Sequence, residues 1–485
     1  MLAEIIPPKI LPRILGRFDL VTIYFALIFG SYGAAQMAAQ GWAAIPILLL
    51  AVITFLVPCA LAAYELGTLF PGEGGVYIWA HKTLGPIHGF IAGWLGWVPI
   101  FLLLPLGATT VTAHLQFVFG VKWPLWGQVL CQLAVVNTVA LISLRKLKIS
   151  QSYVRIIFFI ALGTAVAALI AGLLVAKAAT PIGSEIFSVN IFKYGTLYSA
   201  AILWLLGVEV PFNMGDEFST HKKTAGGMML WGTGALVIGY LLGIVGILLT
   251  TPVANVDSTI GVAVAAGQAA RWLGVLTGLG ICLAVVSQGI AYMNSYSRLL
   301  FISGVERRLP AVVGHVNERT RVPVPALLVQ ALGANLIVLL FASQAKLAVA
   351  YNIYLAALVA VWCASLYYLY FGVIKARGSL TALYQSRGNN VWKIPGGKLG
   401  VWLVALWGIV FNTIGIYYVF AIPWTTDISK RGWLVWLGTI SLVVVLVGIL
   451  IFLKSRRKVQ QLNIQEEMRR YEPLILPSGH QNICP

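Results

Sequence analysis

One of the fifteen acidic residues in this 485-residue chain stands where a carboxyl group is hardest to keep. Glu209 lies in LLGVEVPFNMGDEF (205–218), a stretch that opens as lipid-embedded helix and is then broken by Gly207 and Pro211. The other fourteen acids fall at the ends of apolar runs, in loops or in the tails. A carboxylate near the bilayer centre costs upwards of ~2.5 kcal/mol even on lenient insertion scales. It must be neutralised by a proton, or paired with backbone amides or a cationic ligand group. Glu209 is therefore a candidate proton-carrying or coupling residue; the plainer alternative is a hydrogen-bonded tie between the broken helix and its neighbours. Trp204, about one turn before the break, is a candidate gate, a ring bulky enough to close over a bound molecule.

A second interrupted run carries matching chemistry. LVTIYFALIFGSYGAAQMAAQG (20–41) has Gly30, Ser31, Tyr32 and Gly33 at its middle. Glycine costs ~1 kcal/mol and proline ~3 kcal/mol in a helix interior relative to alanine, so both runs have a built-in weak point. Unwound backbone in hydrocarbon is tolerated only where it lines a cavity or is buried in protein. The N–H groups of a half-helix N-terminus suit a carboxylate, and the freed carbonyls of the facing half suit an ammonium group. A zwitterionic amino acid uses both. Close helix packing by small residues is the competing reading of 30–33.

The elements that position these residues are membrane helices. The chain is 59% hydrophobic and 10% charged, where soluble domains carry about 25% charged residues. Roughly twelve apolar stretches are long enough to cross a ~30 Å hydrocarbon core. They fall near 20–40, 43–63, 87–119, 125–143, 154–176, 196–216, 227–250, 268–302, 324–342, 347–371, 399–421 and 433–453. The expected fold is an all-α polytopic membrane protein. The interrupted first and sixth spans each open a five-span unit, which is the pattern of transporters with inverted repeats and discontinuous helices. This gives a basic arm over 1–17 and a transmembrane domain over 18–453, with repeats near 18–176 and 196–371 and peripheral helices near 399–453. A polar tail follows over 454–485, with a short helix expected in 459–471.

The net charge of +18 does not point to nucleic acid. If the N-terminus is cytoplasmic, 26 of the 33 Lys and Arg fall in cytoplasmic segments and 7 in outside loops. That is the positive-inside bias, and it predicts a multi-pass protein of the cell membrane with both termini in the cytoplasm. No cleavable leader is expected, because the first apolar run is a full span. The five cysteines, four in spans and Cys484 in the tail, show neither pairing nor metal spacing,. The six histidines form no ligand pair. No disulfide, metal site or cofactor is expected, and no polar cluster suits a membrane-embedded enzyme.

Three stretches together resemble the amino acid–polyamine–organocation family of permeases. ELGTLFPGEGGVYIWAHKTLG (65–85) resembles its acidic, Phe-Pro, Gly-Gly, aromatic loop before the third span. LLGVEVPFNMGDEFSTHKKT (205–224) resembles its Gly-x-Glu break with paired acids and a basic end. SRLLFISGVERRLPAVVGHVNERTRVPVPALL (297–328) resembles the loop after its eighth span. The resemblance covers about 18–371 well, and 399–453 only as two further spans. It implies ten core helices in two inverted five-helix repeats plus two peripheral helices, and alternating-access transport of amino acids or amines. By position, Gly30, Ser31, Tyr32 and Gly33 would meet the substrate carboxylate and Gly207 the amino group. Trp204 would correspond to the family's gating aromatic, offset by about one residue, and Glu209 to a coupling glutamate of some members.

There are departures. Gly33 is followed by Ala34 and Ala35 rather than Ile-Phe. The span 154–176 has Arg155 at its start and no lysine, which argues against lysine-linked proton symport and leaves exchange open. The wording GEGGVYIWAHKTLG leans toward the glutamate/γ-aminobutyrate exchanger branch. Polyamine or organocation permeation is the second transport reading, ranked lower because only Glu209 adds an acid to the cavity. A non-transporting sensor with the same fold is the third.

Overall fold

The computed structural model describes residues 1–175, 179–342 and 347–475; His480 and Cys484 fall outside them. Among the described residues the chain is helical, with two isolated bridges and no strand. The first crossing is a bent pair, α1 (Arg17–Ile28) and α2 (Ser31–Ala38), with axes 41° apart. The rest of the first unit is α3 (Gly41–Leu69), the short α4 (Gly75–Leu84), α5 (Pro86–Phe119), α6 (Leu125–Ser143) and α7 (Leu147–Val175). The second unit opens with α8 (Gly195–Leu203). It continues through α9 (Lys222–Thr250), the short α10 (Gly261–Ala269), α11 (Arg271–Val305), α12 (Val324–Ala342) and α13 (Asn352–Ser379). Then come α14 (Gly397–Ala421), α15 (Lys430–Gln460) and the tail helix α16 (Ile464–Tyr471).

Ten helices among the described residues are long and apolar enough to span a membrane, and the bent α1–α2 pair makes an eleventh. The twelfth expected crossing, at 196–216, is helical over only the nine residues of α8. It continues as two 3-10 turns, Val210–Asn213 and Gly215–Glu217. Pro211 and two glycines leave too little helical backbone there for an ordinary span.

Both units run through the same element order: a broken helix, a long helix, a short helix, then three long ones. The packing repeats it. The fifth helix of the first unit, α7, packs on α9, α10 and α11 of the second; the fifth helix of the second, α13, packs on α3, α4 and α5 of the first. Five crossings per unit is an odd number, so the second unit runs in the opposite sense to the first. Both second helices also carry one π-helical turn, Val52–Leu56 in α3 and Met228–Gly232 in α9. The small residues Ala165, Ala168, Ala171 and Gly172 bury one face of α7, as expected where helices associate without a hydrophobic driving force.

Helices α14 and α15 pack mainly on α13, with α14 also touching α8 and α15 touching α5. Their outer faces expose Leu403, Trp407, Leu442 and Leu450 by about half, as lipid-facing helices do. The 380–396 loop, which contains a short helix over Thr381–Arg387, docks on the body, as does the start of the polar tail. The tail helix occupies a shorter stretch than 459–471 and is held by the Arg307–Glu467 ion pair and by the Tyr471 hydroxyl donating to Gly314 O at 2.8 Å. On the same face, the Ala3 N–H donates to Glu306 at 2.8 Å, so the N-terminal arm and the tail share one side of the molecule.

Candidate functional site

The two helix breaks lie side by side. Phe29 and Gly30 are extended between α1 and α2, which frees the last carbonyls of α1. Three side chains from the second unit meet them. The Tyr292 hydroxyl donates to Leu27 O at 2.6 Å, the Tyr240 hydroxyl to Ile28 O at 2.7 Å, and the Gln288 amide approaches Phe29 O at 3.4 Å. Tyr240 also accepts the Gly30 N–H at 3.2 Å, and its oxygen lies 3.0 Å from Trp204 O in the second break. One buried hydroxyl on α9 therefore joins both breaks. Its single proton serves Ile28 O, the nearer carbonyl, with Trp204 O competing for it.

At the second break Gly207 has φ +113°, a left-handed backbone that L side chains rarely adopt,. A Cβ there would lie 3.5 Å from Ile28 and 3.6 Å from Trp362, so the break packs between the end of α1 and α13. Gly33 is needed for a different reason. Its backbone lies under the Trp204 indole, whose ring atoms would be 2.7–3.1 Å from a Cβ. The indole N–H donates to Gln36 at 2.5 Å, and the Tyr32 ring meets it edge-on at 4.8 Å. Tyr32 is fixed in turn by its hydroxyl donating to Gln288 at 3.1 Å.

Tyr32, Gln36 and Trp204 help line a vestibule of about 350 Å³. Its walls include Thr109, Gln128, Gln132, Ser258, Thr259 and Asn352, and among the described residues no charged side chain lines it. The N–H groups of Ser31 and Tyr32 begin α2 and have no intrahelical partner, as at any helix start,.

Glu209 is buried. Its Oε1 accepts the Trp362 indole N–H at 2.7 Å, and its Oε2 accepts no hydrogen bond among the described residues. Its contact is thus with α13 rather than with the first break. Tyr296 of α11, whose hydroxyl also lacks a partner, packs edge-on against the Trp362 ring at 6.0 Å.

The expectation that every other acid lies at a span end, loop or tail is correct for position in the chain but not for exposure. Glu65, Glu73 and Glu217 are fully buried, and Asp216 nearly so. Arg298 of α11, itself fully buried, donates to Glu217 at 2.9 and 3.2 Å and lies 3.4 Å from Glu73. Glu73 and Asp216 each accept the other's backbone N–H, at 3.1 and 3.0 Å. Glu65 accepts Arg377 through both oxygens at 2.7 and 2.6 Å, the Tyr384 hydroxyl at 2.5 Å and the Ile394 N–H at 2.7 Å. The first set ties the segment before α4 and the end of the broken sixth crossing to α11. The second clamps the 380–396 loop onto α3. Arg155 is likewise spoken for, in an ion pair with Asp19 at the start of α1.

The structure thus gathers Gly30, Ser31, Tyr32, Gly33, Trp204 and Gly207 around the paired breaks, with Glu209 one indole ring away. Sequence reasoning did not single out Tyr240, Tyr292, Gln288, Gln36 or Trp362. A tyrosine or tryptophan inside a span has too many packing roles for its sequence position to mark it. Arg298, Glu73 and Glu217 did stand inside the three quoted motifs, and they meet at one point.

The chain was then compared with known proteins. A sequence model described as amino acid permease matches residues 15–451. A curated relative, the "Probable agmatine/putrescine antiporter AguD" of Lactococcus lactis, is 25% identical over 303 residues, 58% of this chain and 63% of that protein. The "Glutamate/serine transporter AimA" of Bacillus subtilis is 29% identical over 120 residues, 24% of this chain and 21% of that one. The matched stretches thus span less than two-thirds of these relatives' length. In three dimensions the chain resembles the manganese transporter of Eremococcus coleocola, solved with an aromatic bis-isothiourea compound. The TM-score is 0.64 at 13% identity, covering 92% of this chain and 94% of that one, a likeness of fold alone. The match over 15–451 settles the family: this chain is a member of the amino acid permease family, within the amino acid–polyamine–organocation group.

Proposed function

We propose that this protein is a secondary active transporter that moves amino acids or related amines across the cell membrane by alternating access, through exchange or proton coupling. The observation that carries the reading is the pairing of two helix breaks through the Tyr240 hydroxyl. The N-terminus of α2 offers free N–H groups to a carboxylate, and the backbone around Gly207 offers carbonyls to an amino group. Trp204, which packs over Gly33 and lines the vestibule, would open and close the way to this point. Glu209, with one oxygen unpartnered, would take up a proton or face the substrate ammonium. Sealing on the opposite face falls to Arg298 with Glu73 and Glu217.

A zwitterion fits the surroundings better than a dication. Polyamine recognition calls for two or more carboxylates, and no carboxylate lines the vestibule among the described residues. The likeness to a diamine antiporter keeps the amine reading as the one to test beside it. The experiment is uptake and counterflow by purified protein in liposomes, with labelled amino acids, agmatine and putrescine under preset pH and sodium gradients. Saturable counterflow of an amino acid supports the proposal. Flux of diamines alone would transfer it to the polyamine class. Absence of any flux, with ligand binding retained, would favour a sensor.

A further inference from the structure

A second cavity is larger than the vestibule. It has a volume of about 890 Å³ and is walled by the N-terminal arm, the end of α3, the start of α9 and residues 387–390. Arg13, Arg17, Lys222, Lys223 and Arg387 line it, and among the described residues no Asp or Glu does. Lys222 is engaged with Asn389 O at 2.6 Å. Among the described residues the other four cations form no ion pair. Protein surfaces normally intersperse the two signs of charge, so five cations around one concavity, with Arg13 partly offset by the buried Asp216 carboxylate, leave a net positive potential,.

The rim of the same cavity is apolar on one side. Leu230 and Trp231, on the next turns of α9, line it and are 68% and 63% exposed. Such exposure on a spanning helix means contact with lipid, and tryptophan marks the level of the headgroups. The cavity therefore opens where acyl chains meet water, with its cations at phosphate depth. Basic pockets between membrane helices at this level hold lipid headgroups.

We propose that this cavity binds the phosphate-bearing headgroup of an anionic phospholipid, with the acyl chains lying along Leu230 and Trp231. Arg17, Lys223 and Arg387 bind the phosphate oxygens. A dissolved phosphate has the same chemistry, but it makes no use of the apolar rim. The bound headgroup bridges the start of α1, one half of a broken helix, to α9 and to the loop that Glu65 clamps.

The test uses the full chain in nanodiscs of phosphatidylcholine with graded phosphatidylglycerol, reading retained lipid by native mass spectrometry after neutral-detergent exchange. Wild type should keep about one phosphatidylglycerol. The variant Arg17→Gln/Lys223→Gln/Arg387→Gln should lose affinity roughly a hundredfold, at about fivefold per cation removed. The control Lys148→Gln/Arg456→Gln/Arg457→Gln makes the same charge change at exposed positions outside the cavity and should keep its lipid. Because Arg17 packs on Gly227, Lys223→Gln and Arg387→Gln are also made singly. These exposed changes should fold normally and each weaken binding about fivefold. Equal losses in pocket and control variants would reduce the effect to general surface attraction and overturn the site. Displacement of the lipid by glycerol phosphate at equal concentration would overturn the lipid assignment in favour of a soluble anion.

Discussion

Replacing Gly207 by alanine isolates the role of backbone conformation at the second break. The added methyl meets no clash, since its nearest neighbours would be 3.5–3.7 Å away in ordinary contact. The cost is confined to φ +113°. An L residue in a sparsely populated positive-φ region costs about 1–3 kcal/mol. If transport requires that conformation, the competent fraction falls by roughly 5- to 150-fold. Gly33→Ala makes a contrast, because there the methyl would enter the Trp204 ring at 2.7 Å while the backbone is ordinary helix. The assay is counterflow in proteoliposomes, with kcat/KM measured for both variants alone and combined with Trp204→Phe. The smaller ring should restore part of the activity to Gly33→Ala and none to Gly207→Ala. Wild-type flux by Gly207→Ala, or equal rescue of both variants, would refute the assignment of strain to one break and steric closure to the other.

Three further outcomes follow from the same geometry. Glu209→Gln keeps an oxygen for the Trp362 N–H and removes the charge. Equilibrium binding should persist while the pH dependence of flux flattens; loss of binding would instead assign Glu209 to the substrate ammonium, and unchanged flux at every pH would end both roles. Arg298→Met leaves buried carboxyls without their cation and should lower stability by about 3–5 kcal/mol, with part recovered by adding Glu217→Gln. Equal melting temperatures for wild type and the single variant would contradict this. His81, in the short helix α4, is held neutral, its pKa pushed down to about 4 by burial first and by the Arg308 cation second. The unfolded chain then binds this proton where the folded one does not, so stability falls as pH drops from about 6.5 toward 4. Thermal melts across that window should show a smaller acid loss for His81→Gln, and parallel curves would reject the contribution.

Two kinds of information shaped this molecule, and the chain sequence carried only one in readable form. Local composition decides what a stretch of some twenty residues can do in lipid. Most of the spans, their rough limits and the weak points at Gly30–Gly33 and Gly207–Pro211 were therefore legible. Each follows from the cost of exposing backbone or charge to hydrocarbon. The quoted motifs even held the right acids and arginine without showing that Glu73, Glu217 and Arg298 share one buried point.

What the tertiary structure decided is which residues meet. The Tyr240 hydroxyl reaches Gly30 across 210 positions and Trp204 across 36, and no periodicity records a contact of that length. It also decided that acids in loops are buried rather than solvated, because α4 and the 380–396 loop fold back onto the helices with an arginine for company. It decided, finally, that Glu209 faces Trp362 on α13 and not the first break. A hydrogen bond is set by the position of two side chains in space, and the order of residues fixes that position only through the packing of the whole helical body.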